Sequence, residues 1–178
     1  EDQMQSYFIA RMNDFLKARG KKLVGWDEIM DGGLGTDATV MAWRSVERGI
    51  TAAKAGHDVV MAPTAFTYFD YCQAPAEGEP PGIGGFLPLK KAYSFDPVPG
   101  ELDAAAAARV LGAQAQLWSE YIPTPEHCEY MAFPRACALA EAVWTPQADR
   151  DYEDFTARLA EHLKRLENAG VHFRPLDK

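Results

Sequence analysis

A parallel α/β fold, arranged as one half of a (β/α)₈ barrel, is what the sequence predicts, on three observations. Short apolar runs alternate with helical segments, an order that pairs strands in parallel through crossovers. Four runs end in an aromatic residue with an acid or base beside it: Val24-Gly25-Trp26-Asp27-Glu28, Val40-Met41-Ala42-Trp43-Arg44, Tyr68-Phe69-Asp70-Tyr71 and Gln116-Leu117-Trp118-Ser119-Glu120. Functional side chains at the C-terminal ends of strands are how such a barrel builds its site. Finally, 178 residues hold four strands, whereas a complete barrel needs eight and about 250 residues.

Met4, Phe8, Met12 and Phe15, with Leu16 beside them, share one helical stripe that Gly20 stops. Residues 21–26 read as a buried strand. The glycine-rich Asp31-Gly32-Gly33-Leu34-Gly35 loop leads to a second strand at Thr39 to Trp43. A helix from Ser45 to Ala55 ends at Gly56, and Asp58 to Ala62 is a third strand closed by Pro63. From Pro63 to Gly100 there is little periodicity and much Pro and Gly, a loop longer than compact domains carry without a functional reason. Val110 to Leu117 reads as a fourth strand. A Pro-punctuated turn at residues 122–125 precedes a helix from Glu126 to Trp144, which Pro134 kinks or splits. Phe155, Leu159, Leu163 and Leu166 form a last amphipathic stripe.

Charge and composition exclude several functions. Twenty-six acids against eighteen Lys and Arg leave a net charge of -8, and no basic cluster stands out to neutralise phosphates, so nucleic acid is not an expected partner. No stretch approaches a membrane span, and these residues hold no charged-then-apolar leader of the signal-peptide kind, which leaves a signal upstream of them open. Cys72, Cys128 and Cys137 form no CxxC pair and are odd in number, so neither a zinc site nor a disulfide framework is indicated. His57, His127, His162 and His172 lack ligand spacing and read as surface or loop residues; no metal is expected.

Aromatic faces stack on the C–H faces of a sugar ring and carboxylates accept hydrogen bonds from its hydroxyls, so strand ends tipped with both point to a carbohydrate pocket. Each residue also has a plainer reading. Trp26, Trp43 and Trp118 are large enough to be barrel core; Tyr68 and Asp70, which face one side if extended, fit a turn, as Glu120 does before Pro123. Arg44 reads as a structural partner of a nearby carboxylate, and Trp144 as helix-end packing.

Taken in order and spacing, Gln5 to Phe8, Gly20 to Glu28, Ala42-Trp43-Arg44, Tyr68 to Gln73, Tyr93 to Pro99, Gly112 to Glu120, Phe133-Pro134-Arg135 and Ala140 to Trp144 resemble the catalytic domain of glycoside hydrolase family 20, the β-N-acetylhexosaminidases. The resemblance covers nearly the whole chain. It implies strands five to eight of a TIM barrel, with residues 1–178 a partial catalytic domain whose first half lies upstream. It also implies exo-acting hydrolysis of terminal GlcNAc or GalNAc with retention, one of the substrate-assisted exceptions among glycosidases. The sugar's own 2-acetamido oxygen is the nucleophile, and no metal or organic cofactor is required.

By that resemblance Trp26, Trp43 and Trp118 wall the acetamido and sugar faces. Tyr68 donates its hydroxyl to the acetamido oxygen, and Asp70 and Glu120 accept from the O6 and O4 hydroxyls. The family's Asp-Glu acid pair sits in a His-x-Gly-Gly-Asp-Glu motif that has no match here; Asp27-Glu28 follows Gly-Trp at a different strand, and Glu28 reads as loop structure. The family's first-strand arginine is missing too. A further pocket tryptophan has no counterpart between residues 72 and 117, where Phe86 or Tyr93 are the substitutes. The expectation is a chain that binds N-acetylhexosamine-terminated glycans and is inactive alone. It would pair with its missing half or self-associate through an open strand edge, and by family analogy act in the periplasm or outside the cell. The rival expectation is a non-catalytic sugar-binding module.

Overall fold

The computed structural model describes residues 2–33, 35–75 and 77–176; Glu1, Leu34 of the glycine-rich loop, Ala76 of the long loop, and Asp177 and Lys178 lie outside the described residues. Two compact units form, one from the chain through Thr64 with Pro97–Gln114, the other from Ala65–Asp96 with Ala115 onward.

The first unit carries the sheet. Strands β1 (Val24–Trp26), β2 (Thr39–Ala42), β3 (Asp58–Met61) and β4 (Val110–Ala113) lie in the order β1-β2-β3-β4, every neighbour parallel. Strands that sit beside their sequence neighbours with helical crossovers are what consecutive barrel strands require. Val40, Ala42, Val59 and Met61 are fully buried, giving the near-continuous apolar reading of a parallel sheet. β1 is an edge strand, with Val24 56% exposed and Gly25 and Trp26 half-buried, so the expectation of a buried strand fails along it. β4 is shorter than the residue 110–117 run, ending at Ala113; within it the register slips beside Val59/Val60, and Gly112 takes φ +141°, which a side chain rarely adopts.

Helix α1 (Asp2–Lys17) stops before Gly20, as its sequence pattern indicates. Its packed face is Ile9, Met12, Asn13 and Leu16, while Met4, Tyr7, Phe8 and Phe15 face outward. Ser45 caps helix α2 (Val46–Lys54) by accepting from the Arg48 amide. Gly49 lets α2 lie close on the sheet, since a Cβ there would fall 2.3 Å from the Met61 sulfur. His57 corrects the surface reading: it is buried, its Nδ1 3.1 Å from the Ala38 carbonyl oxygen.

The second unit is helical. Two short helices occupy the stretch expected to be loop, α3 (Thr64–Thr67, its first residue in the first unit) and α4 (Leu89–Tyr93); a third, α5 (Ala104–Ala107), belongs to the first unit. Pro134 splits the next helix, giving α6 (Pro125–Ala132) and α7 (Arg135–Trp144), because proline has no amide to continue the ladder. Thr124 caps α6 with Pro125 at its first position. Helix α8 (Tyr152–Asn168) buries Phe155, Leu159 and Leu163, as the stripe requires. Tyr93 of α4 stacks on Phe155 at 4.7 Å and meets Tyr152 edge-on at 5.2 Å. Trp144 is not packing: it is 87% exposed at the end of α7.

Candidate functional site

Of the six residues singled out from the sequence, Trp26 and Trp43 fall in the first unit, and Tyr68, Asp70, Trp118 and Glu120 in the second.

In the first unit both tryptophans are half-buried at the C-terminal ends of β1 and β2, so neither is closed core. Trp43 is fixed at several points. Its amide donates to Asp27 Oδ2 (2.9 Å), and its indole Nε1 lies 3.1 and 3.0 Å from the two Glu28 carboxylate oxygens. Its carbonyl accepts from both the amide (2.8 Å) and the hydroxyl (2.9 Å) of Thr64. Asp27 is entirely buried and anchors this cluster. It also accepts from the Arg44 amide, pairs with the Arg44 and Arg48 guanidiniums at 3.2 and 3.4 Å, and its carbonyl accepts from Arg48 Nη2 at 2.7 Å. Arg44 further bridges Glu28 and Asp31, which bears out its structural reading. Glu28 is thus engaged from two sides, by an indole N–H and by a guanidinium, and it holds the Trp43 ring in one orientation. Those are the contacts of a structural carboxylate rather than of a free proton donor.

In the second unit Tyr68 and Asp70 do not lie on an extended strand. Tyr68 makes a single parallel bridge to Gln116, the Phe69 amide donates to the Gln116 carbonyl and the Gln116 amide to the Thr67 carbonyl, both at 2.8 Å, and Phe69-Asp70 then turns. Tyr68 is buried, its ring 6.0 Å from that of Tyr71. Asp70 is 2% exposed, and neither carboxylate oxygen has a hydrogen-bond partner among the described residues. Burial pushes this carboxyl up to about 6; the negative charge of Glu120 adds to the rise, while its own backbone amide and the positive charge of Arg135 oppose it. Trp118, 41% exposed, leads into a 3₁₀ turn at Ser119–Tyr121 that presents Glu120 on the surface. Of the two aromatic substitutes, Tyr93 is buried against Tyr152 and Phe155, and Phe86 is exposed.

Two supporting residues were not legible in advance, Asp27 as an anchor of Trp43 and Arg135 within the Asp70 cluster. The sequence does hold a trace of each. Arg44 and Arg48 recur at helical spacing within reach of one acid, and Arg135 is a charge in the opening turn of an alanine-rich apolar helix.

Residues 1–147 match the catalytic domain of glycosyl hydrolase family 20. A β-hexosaminidase of Porphyromonas gingivalis is 46% identical over 174 residues, which are 97% of this chain and 22% of that protein. One from Vibrio furnissii is 35% identical over 144 residues, 78% of this chain and 23% of the relative. Among solved structures, a family 20 exo-β-N-acetylglucosaminidase from Vibrio harveyi in complex with N-acetylglucosamine superposes with a TM-score of 0.89 at 38% identity, over 96% of this chain and 27% of that one. The β-N-acetylhexosaminidase of Streptomyces coelicolor A3(2) gives 0.84 at 26%, over 96% and 36%. The chain therefore spans under a quarter of the length of these two curated relatives.

Proposed function

The chain belongs to glycosyl hydrolase family 20, and on that premise we propose that it is part of an exo-acting β-N-acetylhexosaminidase, to which it contributes parallel strands of a TIM barrel and contacts to the sugar. The enzyme removes a terminal N-acetylhexosamine from a glycan. The 2-acetamido oxygen attacks the anomeric carbon as the bond to the leaving oxygen breaks, an acid from outside these residues protonates that oxygen, and water opens the oxazolinium ion with retention. Tyr68 donates to the acetamido oxygen, stabilising the charge-bearing stage. Asp70 and Glu120 accept from the O6 and O4 hydroxyls, and Trp26, Trp43 and Trp118 supply apolar faces that fix the sugar and exclude water. Alone, the chain is inactive, since Glu28, the one glutamate in an Asp-Glu sequence, is committed to Trp43 and Arg44. It pairs with the rest of its barrel, and by family analogy the enzyme works in the periplasm or outside the cell.

One observation carries the sugar-binding role. Asp70 is a buried carboxylate with no donor for either oxygen among the described residues. Leaving a buried polar group unsatisfied costs about 1–3 kcal/mol, more if charged. A polyhydroxylated ligand supplies the missing donors, and binding then recovers energy that folding left unspent. Titration calorimetry with GlcNAc-thiazoline, on the chain and on the intact enzyme, tests this. Binding weakened at least tenfold by Asp70→Asn and abolished by Trp118→Ala supports the reading. Unchanged binding in both variants removes it, and binding without hydrolysis by the intact protein replaces the enzyme with a sugar-binding module.

A further inference from the structure

We infer that Arg135 is a positioning residue for the Asp70 carboxylate: its guanidinium grips the two peptide carbonyls on either side of Asp70 and so sets where that side chain points. The inference rests on the sugar-binding role of Asp70 proposed above.

The geometry is specific to the segment. Nη1 donates to the Tyr71 carbonyl at 2.9 Å and to the Leu87 carbonyl at 3.0 Å; Nη2 donates to the Phe69 carbonyl and to the Met131 carbonyl, both at 2.6 Å. The carbonyl of Asp70 itself accepts from the Ile83 amide at 3.3 Å. Three successive peptide groups, 69, 70 and 71, are therefore held, while the Asp70 carboxylate has no donor among the described residues. The guanidinium carbon also sits 4.9 Å from the centre of the Phe69 ring.

Arg135 is an expensive choice if packing were its only task. The residue is 0% exposed and has no carboxylate within ion-pair distance among the described residues. It opens α7, where the positive end of the helix dipole disfavours a cation. Burial lowers its proton affinity, to about 9, and the charges of Asp70 and Glu79 work the other way. An apolar side chain would fill the same volume without these costs. What it would not supply is a planar fork with four outward N–H bonds, matched to four carbonyls from three segments. Lysine has three donors on a single nitrogen and does not fit that pattern either.

The test uses the intact enzyme and three substrates: a chromogenic N-acetylglucosaminide and its analogues lacking the 4- or the 6-hydroxyl. Asp70→Asn should cut the kcat/KM preference for the fully hydroxylated substrate by about tenfold or more, the worth of one hydrogen bond to a charged group. Arg135→Lys should cut it by a similar factor, and the double variant should lose no more than Asp70→Asn alone, because both changes remove one interaction. Hydrogen exchange across residues 69–73 should speed up in Arg135→Lys and not in Asp70→Asn. If the lysine variant does not fold, Arg135→Gln, which keeps two donors without a buried charge, takes its place. A lower melting temperature with the preference intact, or effects that multiply in the double variant, would overturn the positioning role. If Asp70→Asn itself leaves the preference untouched, the reading of Asp70 falls first and the inference with it.

Discussion

Asp27 and Asp70 are both removed from water, at 0% and 2% exposure, yet only Asp27 has its charge answered within its own unit. Asp27 accepts from two backbone amides and faces two guanidiniums; Asp70 has a cation nearby, but that cation spends its four terminal N–H bonds on carbonyls. The contrast separates two uses of a buried carboxylate. A satisfied one is cement, holding Trp43 and Arg44 at the end of β2. An unsatisfied one costs stability in the folded chain, and under the function proposed above its missing donors come from the sugar.

Four changes probe this division, the largest first. Asp27→Ala leaves the Arg48 and Arg44 guanidiniums and two amides without their buried partner and should destabilise by about 3–5 kcal/mol, read by urea unfolding. A loss below about 1 kcal/mol would mean that the cluster is surface decoration. Trp118→Ala should abolish measurable calorimetric binding of the thiazoline while moving stability little, because the ring is substantially exposed.

Asp70→Asn should do the reverse of Asp27→Ala and raise stability at pH 7, by about 1–2 kcal/mol. The folded-state pKa of Asp70, about 6, lies above its unfolded value of about 3.9. Between those values the native state holds the extra proton, so stability falls as pH rises, and the penalty is complete above about pH 6 and absent below about pH 4. The asparagine variant should flatten that slope in thermal melts from pH 4 to 7; an unchanged slope would show that the carboxyl is not the group responsible. Smallest of all, Glu28→Gln keeps an oxygen for the Trp43 indole and should cost less than about 1 kcal/mol, with a several-fold drop in kcat/KM of the intact enzyme. A general acid would be worth about 10²–10⁴.

Much of this was legible beforehand, for identifiable reasons. Helices α1, α2 and α8 are long enough to show a period, and Gly20, Gly56 and Ser45 mark their limits. Strands β2 and β3 carry unbroken apolar runs, Val40 to Ala42 and Val59 to Met61. Four or five residues of α3, α4 or α5 cannot display a helical repeat, so those elements were hidden. The register slip of β4 against Val59/Val60 of β3 is a pairing feature that no local pattern encodes. The six candidate site residues were chosen on aromatic and acidic chemistry together with the family resemblance, and the structure puts two of them in the first unit and four in the second. The supports were not legible, because the Arg135 hydrogen bonds to Phe69, Tyr71 and Leu87 reach across 66, 64 and 48 residues of chain. Asp27 was visible as half of an Asp-Glu pair, and its grip on the Trp43 and Arg44 amides emerges only once β1 and β2 are paired.

The outward face of α1 decides how this chain behaves in a tube. Arg19, in the turn after α1, lies over the Phe15 ring at 3.5 Å and Arg11 near Tyr7 at 5.7 Å, so nearby cations shade two of the outward aromatics. Met4 and Phe8 are also exposed on this helix. An apolar surface of this kind attracts hydrophobic dyes and neighbouring molecules, and sulfate strengthens that attraction. Purified chain should therefore brighten a fluorescent apolar probe, and its light scattering should climb with protein concentration and with ammonium sulfate. Phe8→Glu should suppress both signals while leaving the far-ultraviolet helix spectrum as it was.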